Sequence, residues 1–328
     1  MKHRKRVGMF FAIFVGLLAS GFSFALAQPN FPTRPIEVVI PLSPGGGADV
    51  VFTPFKDKVA KILGQPVVVS YKAGSSGAIG TAFVAKAKPD GYTLLFGNKG
   101  GVISAPLTMK GVGYTLDDLA PICLLTRSPA FFYVKYDSPY KTLKDFIQAA
   151  KTKRLTYCTH GAFSPNHICM EYLKKVEGLQ VTHIPHAGSA PCAVAGLGGH
   201  VDMVLAAVPT TMLGPGKLRV IGSTTDERFE LFPDAPTLLE LGYSVFKGGF
   251  VSSAYWLWAP KGTPKDIINK IYEAFKRVVE EDREEIVKML ANSEAILSFL
   301  GPEELGKAAR NERDVTKKVL DDLGFVPK

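Results

Sequence analysis

Residues 36–49 read Ile36-Glu37-Val38-Val39-Ile40-Pro41-Leu42-Ser43-Pro44-Gly45-Gly46-Gly47-Ala48-Asp49, and this stretch decides the fold. Its first five residues are a short apolar run of β-branched side chains, which predicts a buried strand. Pro44 and three glycines then form a loop. Beyond Asp49, a candidate N-cap, Val51, Phe55, Val59 and Ile62 fall on one face of a helix ending near Leu63. The unit is therefore strand, glycine loop, helix.

The same order recurs along the chain. Strands are predicted at 66–70 and 92–96, with glycine-rich loops at 74–80 and 97–101. Further on, strands at 130–134, 155–158, 181–184, 201–206 and 218–223 alternate with helices at 142–150, 166–176 and 191–197. Loops at 160–166 and 187–190 open two of these helices. This is the grammar of mostly parallel, doubly wound α/β sheets. The last quarter departs from it. One apolar strand at 255–259 precedes helices from Thr263-Pro264, from Arg283 and from Glu303. Late helices must cover a sheet built earlier, so the chain is expected to return to its first domain. Two crossings follow, near Leu125–Ser128 and near Phe250–Ser253.

The chain has 328 residues, a formal charge of +9, 46% hydrophobic residues, 32 Gly and 4 Cys. At roughly 100–200 residues per domain, that length predicts two. The charge is concentrated at the start, where Lys2, Arg4, Lys5 and Arg6 precede an apolar run from Val7 and a small-x-small site at Ala25-Leu26-Ala27. This is the layout of a cleaved secretory signal peptide over residues 1–27. Its removal lowers the formal charge from +9 to +5. Because Lys and Arg form no stripe interleaved with aromatics, nucleic acid is not an expected partner. Export to an oxidising compartment permits disulfides, and Cys123, Cys158, Cys169 and Cys192 leave three pairings open.

No catalytic constellation stands out. The glycine loops lack the dinucleotide fingerprint and the P-loop spacing, and no nucleophile–base pair is apparent, so neither enzyme nor cofactor is expected. The histidines are unusual: His160, His167, His183, His186 and His200 lie close in sequence beside Cys158, Cys169 and Cys192. Their spacings are poor for a metal site, and none is expected. An exported metal-dependent hydrolase remains an alternative on that cluster alone. His160 and His186 are expected at loop tips, where imidazoles meet a ligand carboxylate and tune affinity for a di-anion.

The order of short blocks resembles a known family. Phe31-Pro-x-Arg34-Pro35-Ile36, then Pro41-x-x-Pro44-Gly45-Gly46-x-x-Asp49, is similar to the opening signature of the solute receptors of tripartite tricarboxylate transporters, the Bug family. Gly77-x-Ile79-Gly80, Pro89-Asp90-Gly91-Tyr92-Thr93-Leu94-Leu95, Ser164-x-x-His167, His183-x-Pro185, Gly188-x-Ala190-Pro191, Val201-Asp202 and Ala259-Pro260-x-Gly262-Thr263-Pro264 continue the match.

The resemblance implies a type II periplasmic binding protein fold: two doubly wound α/β domains, joined by two crossover strands, with a ligand cleft between them. The boundaries expected are 28–126 plus 250–328 for the first domain and 127–249 for the second. It implies a monomeric periplasmic protein that delivers a small organic carboxylate to membrane permease subunits. The alternative is a sensor subunit for a membrane signalling protein. Carried onto this chain, the ligand contacts are Ser43, Gly46, Gly47, Ala48 and Asp49 in the first domain, and Gly161, Ser164, Gly188, Ser189 and Asp202 in the second. Asp49 is expected to act as a helix cap and Asp202 as either a contact or an organiser of neighbouring backbone. His186, His160 and Tyr71-Lys72 depart from the family pattern near the expected cleft and leave the ligand's identity open.

Overall fold

The structure, a computed structural model, describes residues 31–45, 47–162, 164–186, 188–206, 208, 210–247, 253–290 and 295–325. The expected leader, Gly46 and part of the second crossing, 250–252, lie outside these residues. The chain divides into two units, 1–31 and 32–328, and the described strands and helices all lie in the second.

The opening stretch folds as its residues dictate: β1 (Ile36–Ile40) runs into α1 (Gly47–Leu63). β2 (Val67–Tyr71), α2 (Ala78–Ala85) and β3 (Thr93–Asn98) follow, with β1 paired in parallel to β2 on one side and β3 on the other. Both faces of β1 are buried, with only Glu37 partly exposed, which agrees with four of its five residues being apolar. The expected loop at 97–101 is instead the end of β3 and a π-helical turn, Gly100–Ser104, leading into α3 (Ala105–Thr108).

β4 (Leu119–Ser128) then leads to β5 (Phe131–Lys135) of a second sheet. That sheet is built from β5, α4 (Leu143–Ala150), β6 (Leu155–Thr159), α5 (Pro165–Glu177), β7 (Val181–Pro185), α6 (Ser189–Leu197), β8 (Met203–Ala206) and β9 (Leu218–Ser223). The chain returns through β10 (Ser253–Pro260), α7 (Lys265–Glu281), α8 (Arg283–Leu290), β11 (Ile296–Leu300) and α9 (Pro302–Asp322).

The strand orders are β11-β4-β10-β3-β1-β2 and β7-β6-β8-β5-β9. Both sheets are mixed rather than mostly parallel. β4 leaves the first sheet at Ser128 and β10 enters it at Ser253. The two pair antiparallel there, and β10 also runs against β3. A chain that crosses out and back inserts its crossing strands against the parallel grain.

Phe52 and Phe55 of α1 pack against Phe275 of α7, and Phe52 also meets Phe96 of β3. Trp256 and Trp258 of β10 share a core with Val39, Leu95, Leu305 and Ala309. The second sheet has a core on each face. α9 spans both regions: Leu305 and Ala309 belong to the first-sheet core, Val319 and Leu320 to a second-sheet core. Between them, Glu312 is 2% exposed, and its carboxylate lies 3.1 Å from the buried Lys99 Nζ and 3.6 Å from Arg127. Burial lowers the pKa of Lys99 and the Glu312 charge opposes that shift.

Candidate functional site

In parallel α/β sheets the strand ends that feed helices gather loops and helix starts at one edge. At the first sheet this edge carries the loops after Ile40, Tyr71 and Asn98. α1 begins at Gly47, so the backbone N–H groups of Gly47, Ala48 and Asp49 belong to its first turn and have no partner within the helix. They give the helix start its partial positive charge. The Asp49 carboxylate turns back into the protein: Gly45 N–H donates to Oδ2, and Tyr71 Oη donates to Oδ1 at 2.7 Å. The hydrogen bond to Asp49 raises the Tyr71 pKa. The pKa of the half-buried Tyr255, whose hydroxyl lies beside Gly47, is pushed up to about 12 by desolvation, with help from the Asp49 charge. Asp49 thus braces the loop. Ser43 and Gly47 are exposed and Ala48 is buried. Gly46 lies outside the described residues.

The neighbouring glycine loop has a different role. A Cβ on Gly101 would lie 2.7 Å from Gly77 O, and one on Gly77 would lie 2.5 Å from Asn98 Oδ1. These glycines allow backbone to pack on backbone, and Asn98 ties the turn by donating to Ser76 O at 3.3 Å. Gly188, by contrast, has φ 124°, and a Cβ there would meet nothing within 4 Å. It faces open space at the start of α6, where Ser189 is the first helical residue.

At the second sheet, β6, β7 and β8 end together. His160 and Gly161 follow β6, and Ser164 caps α5, its Oγ accepting from His167 N–H at 3.3 Å. The Thr159 hydroxyl donates to Gly161 O and lies 2.9 Å from His183 Nε2. His186 N–H donates to Thr159 O at 3.1 Å, which fastens the end of β7 to that of β6. A disulfide between Cys158 and Cys192 adds a covalent tie from β6 to the first turns of α6. Cys123 and Cys169 are buried free thiols.

The histidines divide by role. His183 is stacked between Tyr157, 4.9 Å away, and His167, 4.0 Å away. Burial pushes the pKa of His183 down to about 4, reinforced by His167 and His186, and it lowers that of His167 as well. These two belong to the scaffold. His160 is pushed down to about 4 by burial, so its imidazole is neutral near pH 7. Its Nδ1 lies 3.4 Å from the amide nitrogen of Asn166 and accepts from it, leaving the proton on Nε2. His160 therefore offers a neutral donor rather than a charge. Among the described residues no group of three or more His, Cys, Asp or Glu is placed to hold a metal ion.

Asp202 is not brought to these loops. It precedes β8, and its carboxylate accepts from Thr156 N–H at 2.7 Å and Thr156 Oγ at 2.9 Å. β6 and β8 are parallel, so Asp202 lies at their amino ends, across the sheet from His160 and Gly161. Of the two roles open to it in sequence, it fills that of backbone organiser. Asn166, by contrast, gives no signal in the sequence: one polar residue between Pro165 and His167 matches no motif. It is 2% exposed, and its Nδ2 donates to Leu205 O at 2.9 Å.

Two surface cavities lie elsewhere. One of about 410 Å³ is bordered by Tyr172, Glu177, Tyr243, Lys318 and Asp322; another of about 260 Å³ is bordered by Tyr136, Arg219 and Phe232. Neither is lined by a residue of the loops that precede α1, α5 and α6. In the larger one Glu177 pairs with Lys151 and accepts from Tyr243 Oη.

Residues 51–324 match the model of the tripartite tricarboxylate transporter family receptor. The chain is similar to the UPF0065 protein in the gbd 5' region of Cupriavidus necator, at 34% identity over 92% of this chain and 91% of that one. It is similar in structure to Rpa4515 of R. palustris with adipate: TM-score 0.78, 26% identity, 91% of this chain and 100% of that one. It is also similar to MatC of Rhodopseudomonas palustris with bound malate: TM-score 0.73, 27% identity, 88% of this chain and 100% of that one. These structures share the mixed α/β periplasmic binding protein fold, and such receptors bind solutes. The chain belongs to the receptors of the tripartite tricarboxylate transporter family, the Bug family.

Proposed function

We propose that this receptor works in the periplasm, captures a small organic carboxylate between its two sheets and delivers it to the permease subunits of a tripartite transporter. The observation that carries this reading is the pair of helix starts, α1 at Gly47 and α6 at Ser189. Each follows a short loop at the carboxyl edge of its sheet, with glycines at 45–46 before α1 and Gly188 before α6. Backbone N–H groups and partial positive charge at both suit an anion. The contacts proposed are Ser43, Gly46, Gly47, Ala48 and the backbone of Asp49 on one side. On the other they are His160, Gly161, Ser164, His186, Gly188 and Ser189.

The two bodies would be residues 28–126 with 250–328 and residues 127–249, moving about the crossings at β4 and β10. Residues 1–27 would be removed on export. Adipate and malate in the two structural relatives support the ligand class. Delivery to a permease, rather than to a signalling partner, rests on the family.

A thermal-shift screen of mono-, di- and tricarboxylates, aromatic acids and amino acids tests the ligand class. At 100 times its dissociation constant, a ligand adds about 2.7 kcal/mol of stability. At least one carboxylate should raise Tm by several degrees. A screen in which only uncharged solutes do so would overturn the reading.

A further inference from the structure

Asn166 sits in the first turn of α5 and is almost wholly buried. Its amide orientation is set by its partners. Nδ2 donates to Leu205 O at the end of β8 and faces His160 Nδ1. The other end of the amide, Oδ1, is buried and has no hydrogen-bond partner. Buried polar atoms are nearly always paired, so this orphan points to a missing donor. His186 supplies a second instance: its Nε2 is also buried without a partner. β7 and β8 border β6 on opposite sides; His186 follows β7 and donates its N–H to Thr159 O, and Asn166 bonds Leu205 O near the end of β8.

The chemistry at this point is that of a hydrogen-bond acceptor among neutral groups. Ser164, Thr159 and the neutral His160 supply no positive charge. A bare carboxylate oxygen placed against Asn166 Oδ1 would set acceptor against acceptor, whereas a hydroxyl or ammonium group would satisfy it.

We propose that Asn166 is a specificity-determining residue, whose Oδ1 receives a donor from the ligand, so that this receptor prefers hydroxy- or amino-substituted carboxylates to their unsubstituted parents. This rests on the carboxylate reading above. The carboxylate lies at the helix starts and the substituent at Asn166.

The test is calorimetric titration of the purified protein with matched acids of three to six carbons. Each parent acid, from propionate and succinate to adipate, is compared with its 2-hydroxy and 2-amino counterparts. In at least one series the substituted acid should bind about tenfold or more tightly than its parent, since sites built to bond a donor reject analogues lacking it. Asn166→Ala and Asn166→Ser should cut that ratio below about threefold. Circular dichroism checks that each variant is folded, and the wild-type ratio decides even where one is not. Parents and substituted acids binding equally to wild type would overturn the inference and leave the carboxylate reading standing. So would a ratio unchanged in a folded variant, which would mean that Oδ1 holds only a structural water. A panel in which no acid binds would overturn the inference, and the wider thermal-shift screen then decides the carboxylate reading.

Discussion

His160 shows how one residue changes what a site can do. Its place just after β6, at the carboxyl edge of the second sheet, was legible from the sequence, but its protonation state was not, because that depends on burial and on the Asn166 amide beside it. A group held at about 4 in the folded protein and near 6.5 when unfolded is protonated earlier in the unfolded chain. The unfolded state therefore binds more protons between those values, and this contribution to stability falls as pH drops from about 6.5 toward 4. Nitrogen-15 NMR of the imidazole should show the Nε2–H tautomer, with a midpoint near 4. A midpoint near 6.5 would mean that His160 is solvated and can carry charge to the ligand. Asp202 teaches the complementary lesson. Its number places it near a strand, but only the parallel pairing of β6 and β8 shows that it lies at the edge away from the loops.

At the scale of elements, the strand–loop–helix units were readable because apolar runs, glycines and helical periodicity agree over 36–63 and again over 155–177. β11 and most of β4 were not. Ile296–Leu300 gives no strand signal beyond a few apolar residues, and it becomes a strand by pairing with β4. The disulfide was also hidden, since sequence spacing allows several pairings. Cys158 and Cys192, 34 residues apart, close a loop containing α5, β7 and the first residues of α6. A loop of that length is worth roughly 3–4 kcal/mol through the unfolded chain. The double substitution Cys158→Ala, Cys192→Ala should lower unfolding free energy by about 2–4 kcal/mol in urea titration. It should also weaken ligand binding, because His160 and Gly188 lose their shared tether. Unchanged affinity with reduced stability would confine the bond to the scaffold.

At the scale of the molecule, α9 joins the two sheets' cores, and its amphipathic pattern alone does not reveal that it serves two cores rather than one. Glu312 lies midway, paired with Lys99 beside β3 and with Arg127 near the first crossing. Removing one partner of a buried pair leaves an uncompensated charge, at a cost of about 3–5 kcal/mol. Glu312→Ala should lose that much stability, and Glu312→Gln somewhat less, by denaturant unfolding. A loss under about 1 kcal/mol would show that water reaches Lys99.

The central claim is that backbone N–H groups from helix starts on both sheets hold one carboxylate ligand. Proline at the first position of a helix removes a single N–H without breaking the helix. Calorimetric titration of the best-binding carboxylate into wild type, Gly47→Pro and Ser189→Pro therefore tests the claim most directly. A hydrogen bond to a charged group is worth about 1.5–3 kcal/mol, so each variant should bind roughly 10- to 100-fold more weakly with 1:1 stoichiometry retained. Wild-type affinity in both folded variants would contradict it.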